Sequence, residues 1–418
     1  MLSPLIPAAL MPETPKVVGL NQILRAIRTH LGMEVSFISE FADGRRMFRA
    51  VDSAEGRACI EVGGSDPLEE SYCHWVATGK LPRLIRDPAE HAFTAELTAT
   101  ASAPVGAHLS VPIRLRDGQI YGTFCCFSFQ PDQSLTQRDL ATLEAFAQIA
   151  TDQIQYEIDS GQLRETKVSR IKSVLRTGDV HMVYQPVFRL DGSQVEFVEA
   201  LARFPSKPYH APDRWFEMAA EVGLGQELQL LAIRAALEGF CEVPRQMAIS
   251  VNVAPETILS SEFAAVLANA PLRRLIVEIS EHETVGCYSR LNAALEPARK
   301  QGLRVAIDDM GAGYSSLRHI LQIRPDMIKL DISLSSDIQH DPARRALASA
   351  LVSFAREIGC ELIAEGIESE GDLSTVKALG INRAQGFLLG RPLAIAEQEE
   401  LLREGSYPVS HGRTSSAA

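Results

Sequence analysis

From Met182 onward, short apolar runs alternate with helical segments, and each run ends on a polar or charged residue. Val195 to Val198 ends at Glu199, Met247 to Val251 at Asn252, Leu275 to Val277 at Glu278, and Val305 to Ile307 at Asp308. Met327-Ile328 leads to Lys329, Leu362 to Ala364 ends at Glu365, and a last run closes at Ala384-Gln385-Gly386. Helical spacing fills the intervals near 216–240, 255–267, 287–301, 342–358 and 371–379. Asp341-Pro342 reads as a helix start, and Gly302, Gly359 and Gly380 stand where helices should stop. Strands and helices in this alternation predict a TIM-like (β/α)8 barrel, an α/β fold whose C-terminal strand ends share one face. A single polar strand end is an ordinary solvated terminus. Seven on one face predict a polar mouth.

The donor types at that mouth narrow its chemistry. Glu199, Asn252, Glu278, Asp308 and Asp309 offer oxygen, and no cysteine or histidine joins them. Oxygen donors of this kind suit Mg²⁺ or Mn²⁺ and not zinc. Asp308 and Asp309 would repel each other if both were ionised, unless a cation offsets the repulsion. Four carboxylates and an amide suffice for two ions sharing a bridging carboxylate, an arrangement suited to phosphodiester hydrolysis. Lys329 would orient the attacking water or the phosphate, Glu365 would take a proton from water, and Arg203 would pair with a phosphate. Gly311-Ala312-Gly313, next in the chain, reads as a loop hinge.

The first third has a different pattern. Val18 to Leu31 reads as an amphipathic helix, Val35 to Phe41 and Met47 to Val51 as strands, and Pro67 to Leu81 as helical. Leu109 to Phe129, turning at Asp117-Gly118, reads as a hairpin. An α+β domain around an antiparallel sheet is expected there. Leu135 to Leu175 then has the 3-4 spacing of a long helix, with an interruption expected at Gly161. Its first half, Leu140 to Ile158, either pairs with a second chain or packs on its own domain.

With 418 residues the chain is long enough for more than one core. A net charge of -12 argues against non-specific nucleic-acid binding. The seven cysteines are scattered and form no Cys-x-x-Cys. That predicts reduced thiols in a cytoplasmic protein and no zinc site built on cysteine. No window approaches the ~20 apolar residues of a membrane span. Met1 to Pro15 lacks the basic start of a signal peptide.

Several ordered motifs now resemble the EAL domain. They are Tyr184-Gln185-Pro186, Glu199-Ala200-Leu201 with Arg203, Ser250-Val251-Asn252 and Glu278-Ile279-Ser280-Glu281. Asp308-Asp309-Met310-Gly311, Lys329-Leu330-Asp331, Ala364-Glu365-Gly366-Ile367-Glu368 and Gln385-Gly386-Phe387 complete the set. The resemblance implies a cyclic-guanylate-specific phosphodiesterase that hydrolyses cyclic di-GMP to linear pGpG with two Mg²⁺ or Mn²⁺ ions, and a homodimer. It implies that Glu199, Asn252, Glu278 and Asp308 hold one metal and that Asp308 and Asp309 serve the second. Lys329 would contact the nucleophilic water. Glu365 would be the base or an auxiliary acid at the metal site. Gln385 would help order the site and Glu281 would brace the loop after Asp309. Gln185 and Arg203 would meet the substrate. The chain departs from the family at Met310, usually Phe, and at Ala202, usually a larger aliphatic; neither removes a ligand. A silent cyclic di-GMP receptor or a protein-binding scaffold is the alternative.

The hairpin from Gly106 to Phe129, with Leu109-Ser110-Val111-Pro112-Ile113 and Tyr121-Gly122-Thr123-Phe124, resembles a GAF sensor. The resemblance implies an unidentified small-molecule or signal ligand. Cys73-His74 is similar to the bilin-anchoring pair of some GAF domains, but the surrounding pattern is absent. The expected organisation is a GAF-like domain at 17–155, a helical connector at 156–175, an EAL domain at 176–404 and a disordered tail at 405–418.

Overall fold

The computed structural model describes residues 19–398 apart from 58, 96, 98–104, 193, 208, 245–246 and 312–315. The tail expected at 405–418 and the hinge residues Ala312 and Gly313 lie outside the described residues. The chain divides into two compact units between Leu163 and Arg164.

In the first unit the strands are β1 (Val35–Ala42), β2 (Arg45–Ser53), β3 (Ser65–Pro67), β4 (Leu84–Ile85), β5 (Ala107–Arg114) and β6 (Ile120–Ser128). They form one antiparallel sheet in the order β3-β2-β1-β6-β5-β4. The expected hairpin is β5–β6. Asp117 caps its turn by accepting from the backbone N–H of Gln119 at 2.9 Å. Gly122 lies against β1, where a Cβ would sit 1.9 Å from the carbonyl oxygen of Ser39. Helix Leu20–Leu31 lays Ile23, Leu24 and Ile27 on one sheet face against Ile38, Phe124 and Cys126. Leu143, Ala147, Ala150 and Ile154 of helix Gln137–Thr177 join the same cluster. Of the two readings of that helical seam, packing on its own domain is therefore the observed one. The opposite face gathers Phe37, Phe48, Cys73, Cys125 and Phe127. Both faces are covered, so the adjacent Cys125 and Cys126 point opposite ways and are both buried.

Two local expectations are corrected here. The spacing at Pro67 to Leu81 yields only helix Tyr72–Ala77, preceded by a 3₁₀ turn at Leu68–Glu70. Gly161 does not interrupt the long helix, which runs unbroken from Gln137 to Thr177. A glycine inside a helix costs only about 1 kcal/mol, less than the packing on either side of it provides. Its last turns belong to the second unit, within which Ile171 and Val174 pack on Phe204, Trp215 and Met218.

The second unit contains β7 (His181–Arg189), β8 (Gln194–Arg203), β9 (Ala248–Asn252), β10 (Leu275–Ser280), β11 (Arg304–Met310), β12 (Met327–Leu330), β13 (Glu361–Ala364) and β14 (Arg383–Ala384). They close into an eight-stranded barrel. β7 is antiparallel to both neighbours, and the other pairings are parallel. The turn from β7 to β8 is too short for a crossover, and a hairpin needs none. Asp341 caps helix Pro342–Ile358 by accepting from the N–H groups of Ala343 and Arg344 at 2.8 and 3.2 Å. The single helix expected near 216–240 is two, Pro212–Glu221 and Gly225–Gly239, separated where Gly223 takes a left-handed φ of 79°.

Inside the barrel the two-residue strand period sorts the side chains into layers. Val187, Phe197, Ala248, Ile276, Ala306, Met327 and Ile363 form one apolar cluster. Two positions further on lie Glu199, Ser250, Glu278, Asp308, Lys329 and Glu365. On the reversed strand Gln185 stands two positions before Val187. An apolar floor thus carries a polar layer, and the same alternation produces both.

Gly386 fixes how closely β14 approaches the segment after β13. A Cβ there would lie 2.1 Å from the Ile367 carbonyl oxygen and 2.2 Å from its nitrogen. Gly386→Ala should destabilise the second unit by about 3 kcal/mol. Gly286→Ala, where a Cβ meets nothing within 4 Å, should stay within about 0.5 kcal/mol. Urea unfolding of both variants checks this; equal midpoints would refute the close-approach argument.

Candidate metal centre

Lys329 stands at the centre of the polar layer. Its side chain is 1% exposed, and its Nζ lies 2.9 Å from Glu278 Oε2 and 3.2 Å from Glu199 Oε2. The same Nζ is 3.1 Å from Asp308 Oδ1 and 2.8 Å from Glu365 Oε1. The strand order explains the convergence, since these residues come from β8, β10, β11, β12 and the exit of β13. Long strand-end side chains of a closed barrel meet near its axis.

One ammonium cannot balance four buried carboxylates. Burial would push Glu199 up, but Lys329 and the donors Gln385 and Asn252 outweigh it, and Glu199 ends below its ordinary range. For Glu278 burial dominates, reinforced by Glu199 and Asp308, and its carboxyl is pushed well up. Asp308 is raised by burial and by its neighbours Glu199 and Asp309. Burial, with Asp308 and Glu199, pushes Glu365 up to about 8. The same carboxylates overcome the desolvation of Lys329 and hold it well above the ordinary lysine range. Glu278 Oε1 is buried and has no hydrogen-bond partner among the described residues.

Behind Glu199 runs a chain of amides. Gln185 Nε2 donates to the Gly390 carbonyl at 3.1 Å, and Gln385 Nε2 donates to Gln185 Oε1 at 3.0 Å. Gln385 Nε2 also reaches Glu199 Oε2 at 2.8 Å. Asn252 Nδ2 donates to Glu199 Oε1 at 3.1 Å from the exposed rim. Arg203 donates to the Ala202 carbonyl at 2.8 Å. It lines a cavity of about 560 Å³ together with Tyr209, Phe216 and Asn252.

Asp308 and Asp309 would point to opposite faces of a regular strand. They do not, because the β11–β12 register shifts between Ile307 and Met310, and Asp309 takes a left-handed φ of 60°. Ser280 Oγ donates to Asp309 Oδ2 at 3.1 Å, and the Asp309 N–H donates to Asp308 Oδ1 at 3.0 Å. Glu281 is buried, its N–H donates to the Asp308 carbonyl at 3.1 Å, and its Oε2 faces the Gly311 N–H at 3.4 Å. Ser280 was not singled out from sequence, although it stands two positions after Glu278 and the strand period points to it.

The donor set fits divalent cations. Carboxylate oxygens of Glu199, Glu278 and Asp308 lie within 4.8 Å of one another, and so do those of Asp308, Asp309 and Glu365. The two groups share Asp308. All the donors are hard oxygens, they carry a charge deficit that one lysine leaves unbalanced, and one buried oxygen lacks a partner.

Residues 168–392 match the EAL domain family, and residues 20–155 match the GAF domain family. The chain is 32% identical over 266 residues to the uncharacterized protein y4lL of Sinorhizobium fredii, which covers 60% of this chain and 32% of that protein. It is 28% identical over 259 residues to the cyclic di-GMP phosphodiesterase PA2567 of Pseudomonas aeruginosa, covering 59% of this chain and 44% of that protein. The chain therefore spans less than half the length of these relatives. The solved PaMucR phosphodiesterase, in complex with c-di-GMP, is similar with a TM-score of 0.51 at 26% identity, covering 56% of this chain and 99% of that chain. The EAL domain protein from Listeria monocytogenes shares the fold, with a TM-score of 0.51 at 21% identity over 56% of this chain and 96% of that chain. Among the described residues no helix is long and apolar enough to cross a membrane.

The raised carboxyl of Glu365 makes the metal-free protein sensitive to pH. Its ordinary value is 4.5 and its folded value about 8. The stability it contributes is full below the unfolded value and is lost as pH rises through the folded one. In excess EDTA the urea midpoint should fall between about pH 5 and about pH 8.5, and Glu365→Gln should reduce that fall. An unchanged slope in the variant would show that Glu365 does not carry the proton.

Proposed function

The chain belongs to the EAL-domain family, and from that premise we propose that its second unit hydrolyses cyclic di-GMP to linear pGpG. The observation that carries the reading is the pair of carboxylate groups sharing Asp308 around a buried lysine. The similarity to PA2567 and to the PaMucR phosphodiesterase supports the same substrate.

Glu199, Asn252, Glu278 and Asp308 would hold one Mg²⁺ or Mn²⁺ ion, and Asp308 with Asp309 the second. Bound cations of this kind supply positive charge at the attacking and leaving oxygens of a phosphodiester. The chain's own residues do the rest. Gln185 and Gln385 hold Glu199 in one orientation through their amide chain, and Ser280 fixes Asp309. Lys329 donates to the attacking water once cations share the carboxylate charge that now surrounds it. Glu365, 2.8 Å from the Lys329 ammonium, is placed to exchange a proton with that water. Arg203 and Tyr209, beside Asn252, offer a cationic and an aromatic wall for a phosphate and a guanine. Glu281 braces the backbone after Asp309 through Gly311.

We read the first unit as a GAF sensor for a small molecule, bounded by residues 17–155, with 156–175 as connector and 176–404 as the EAL domain. A homodimer and a cytoplasmic setting belong to the same reading. Thiols left free at Cys59, Cys73, Cys125, Cys126, Cys287 and Cys360 suit a reducing compartment.

The test is incubation of the full chain with cyclic di-GMP and Mg²⁺ or Mn²⁺, followed by separation of pGpG. Turnover is expected, and chelation should abolish it. Asp308→Ala should lower kcat by at least about a thousandfold, since it removes a donor common to both carboxylate groups. Binding without pGpG in the parent protein would identify a silent receptor, and surviving activity in Asp308→Ala would overturn the metal assignment.

A further inference from the structure

The first unit brings together two cysteines that lie 52 residues apart. Cys73, on helix Tyr72–Ala77, and Cys125, on β6, have their sulfurs 3.4 Å apart and are fully buried. Buried cysteines are usually inert core hydrophobes, and Cys126 shows that ordinary case. It faces the aliphatic cluster on the other side of the sheet, and burial pushes its thiol strongly up.

The surroundings of Cys73 and Cys125 are polar instead. Arg46 Nη1 lies 3.0 Å from the Cys73 sulfur. Ser110 Oγ and Thr123 Oγ1 each lie 3.1 Å from the Cys125 sulfur. Arg46 is fixed in place, because its Nε donates to Asp66 Oδ1 at 2.9 Å, its Nη2 pairs with Asp66 Oδ2, and its guanidinium lies 4.8 Å from the Phe48 ring centroid. A cavity of about 220 Å³ lies beside Arg46 and His108, and Phe37, Phe48, Tyr72 and Cys59 also line it. His108 is 2% exposed, and its Nδ1 has no hydrogen-bond partner among the described residues. A small polar molecule entering this cavity would meet His108 and the arginine that contacts the Cys73 sulfur.

We propose that Cys73 and Cys125 form a peroxide-oxidisable dithiol in which Cys73 is the attacking sulfur and Cys125 the resolving one. The Cys73 thiolate attacks one oxygen of a hydroperoxide. An S–O bond forms, the O–O bond breaks, and the leaving hydroxide or alkoxide takes a proton from water. Sulfur is oxidised to the sulfenic acid, and the peroxide is reduced. Cys125 then attacks the sulfenic sulfur. An S–S bond forms, and the sulfenic hydroxyl leaves with the Cys125 proton as water. Two thiols and one peroxide thereby give one disulfide, one water and one water or alcohol. The sulfurs have only to close from 3.4 Å to a bond of about 2.05 Å.

The charges around the pair agree with this division of roles. Burial would push Cys73 up, but Cys125, Arg46 and His108 outweigh it and hold the thiol well below its ordinary range. Burial and the neighbouring Cys73 push Cys125 well up, so it keeps its proton. Donor atoms of Cys73, His108 and Cys125 also lie within 4.8 Å of one another, a set that a soft divalent ion would take. Arg46 decides against that alternative. Its fixed positive charge beside the Cys73 sulfur favours an anion there and opposes a second cation.

The experiment treats the reduced full chain with less than one equivalent of hydrogen peroxide or tert-butyl hydroperoxide, blocks the remaining thiols with N-ethylmaleimide and maps the peptides by mass. A Cys73–Cys125 disulfide should appear at least about tenfold faster than oxidation of the exposed Cys59. In Cys125→Ser, dimedone should trap the sulfenic acid at Cys73. The wild-type mapping stands on its own should that variant fold poorly. Oxidation of Cys59 at an equal or greater rate would overturn the proposal, as would one equivalent of zinc in the purified protein that protects Cys73 and Cys125 from N-ethylmaleimide until it is chelated.

Discussion

The barrel depends on the ammonium of Lys329. Four carboxylates from four other strands or strand exits lie within 3.2 Å of its Nζ, and Lys329 and Glu278 are all but sealed from water. In a medium of low dielectric, two like charges at such a range are tolerated only with a compensating charge or a proton. Lys329 supplies one compensating charge. Protons supply more, which is why Glu278, Asp308 and Glu365 are all raised while Glu199, with two amide donors to itself, is not. A cation bound at this mouth would compete with those protons. Binding one must release the other, as linkage requires wherever ligands are held partly protonated. The apolar layer beneath keeps this competition at one end of the barrel.

Much of this site was legible in the sequence because the strand period is rigid. A run that ends on Glu278 or Lys329 puts an apolar side chain two residues earlier on the barrel floor, and closure brings the polar ends together whatever the intervening helices do. What was not legible came from chain direction and register. A run read without its direction does not say that β7 is reversed. Yet that reversal sets Gln185 opposite Glu199 in the β7–β8 ladder and lets it support Gln385. The break near Gly223 was missed for a related reason: helical spacing persists across a one-residue left-handed turn. Ser280 was overlooked because its neighbour Glu281 has the stronger charge, although the two-residue period favours the serine.

In the first unit the hairpin at Asp117-Gly118 was legible from turn chemistry alone. The chemistry of the cysteines was not. Metal and disulfide motifs are recognised in sequence when their residues are close, and Cys73, His108 and Cys125 are separated by helix, loop and hairpin. The fold joins them through pairing. Ser110 stands opposite Cys125 in the β5–β6 ladder, which brings its hydroxyl to the Cys125 sulfur, and helix Tyr72–Ala77 covers the same sheet face. Alternation on β6 explains why Cys125 and Cys126 face opposite sides of the sheet. It did not reveal that Cys125 faces two hydroxyls and a thiol while Cys126 faces the aliphatic cluster.

Asp309 shows how the barrel resolves a conflict between local and global demands. A non-glycine residue in the left-handed region costs about 1–2 kcal/mol, and aspartate meets that cost more readily than most because its short side chain can hydrogen-bond nearby. Here the conformation is over-determined. Ser280 holds the carboxylate, Asp308 accepts from the Asp309 N–H, and Glu281 engages the backbone on both sides, at the Asp308 carbonyl and the Gly311 N–H. Glycine would adopt the same φ without strain, but it would leave the Ser280 hydroxyl without its acceptor and remove one carboxylate from the second oxygen group. A regular strand would relieve the strain as well, but it would turn one of the two aspartates away from the mouth. Only a strained aspartate keeps both carboxylates beside Glu365. The register shift after Ile307 is therefore part of the site, and the strain at Asp309 is offset by the hydrogen bonds that hold its neighbours in place.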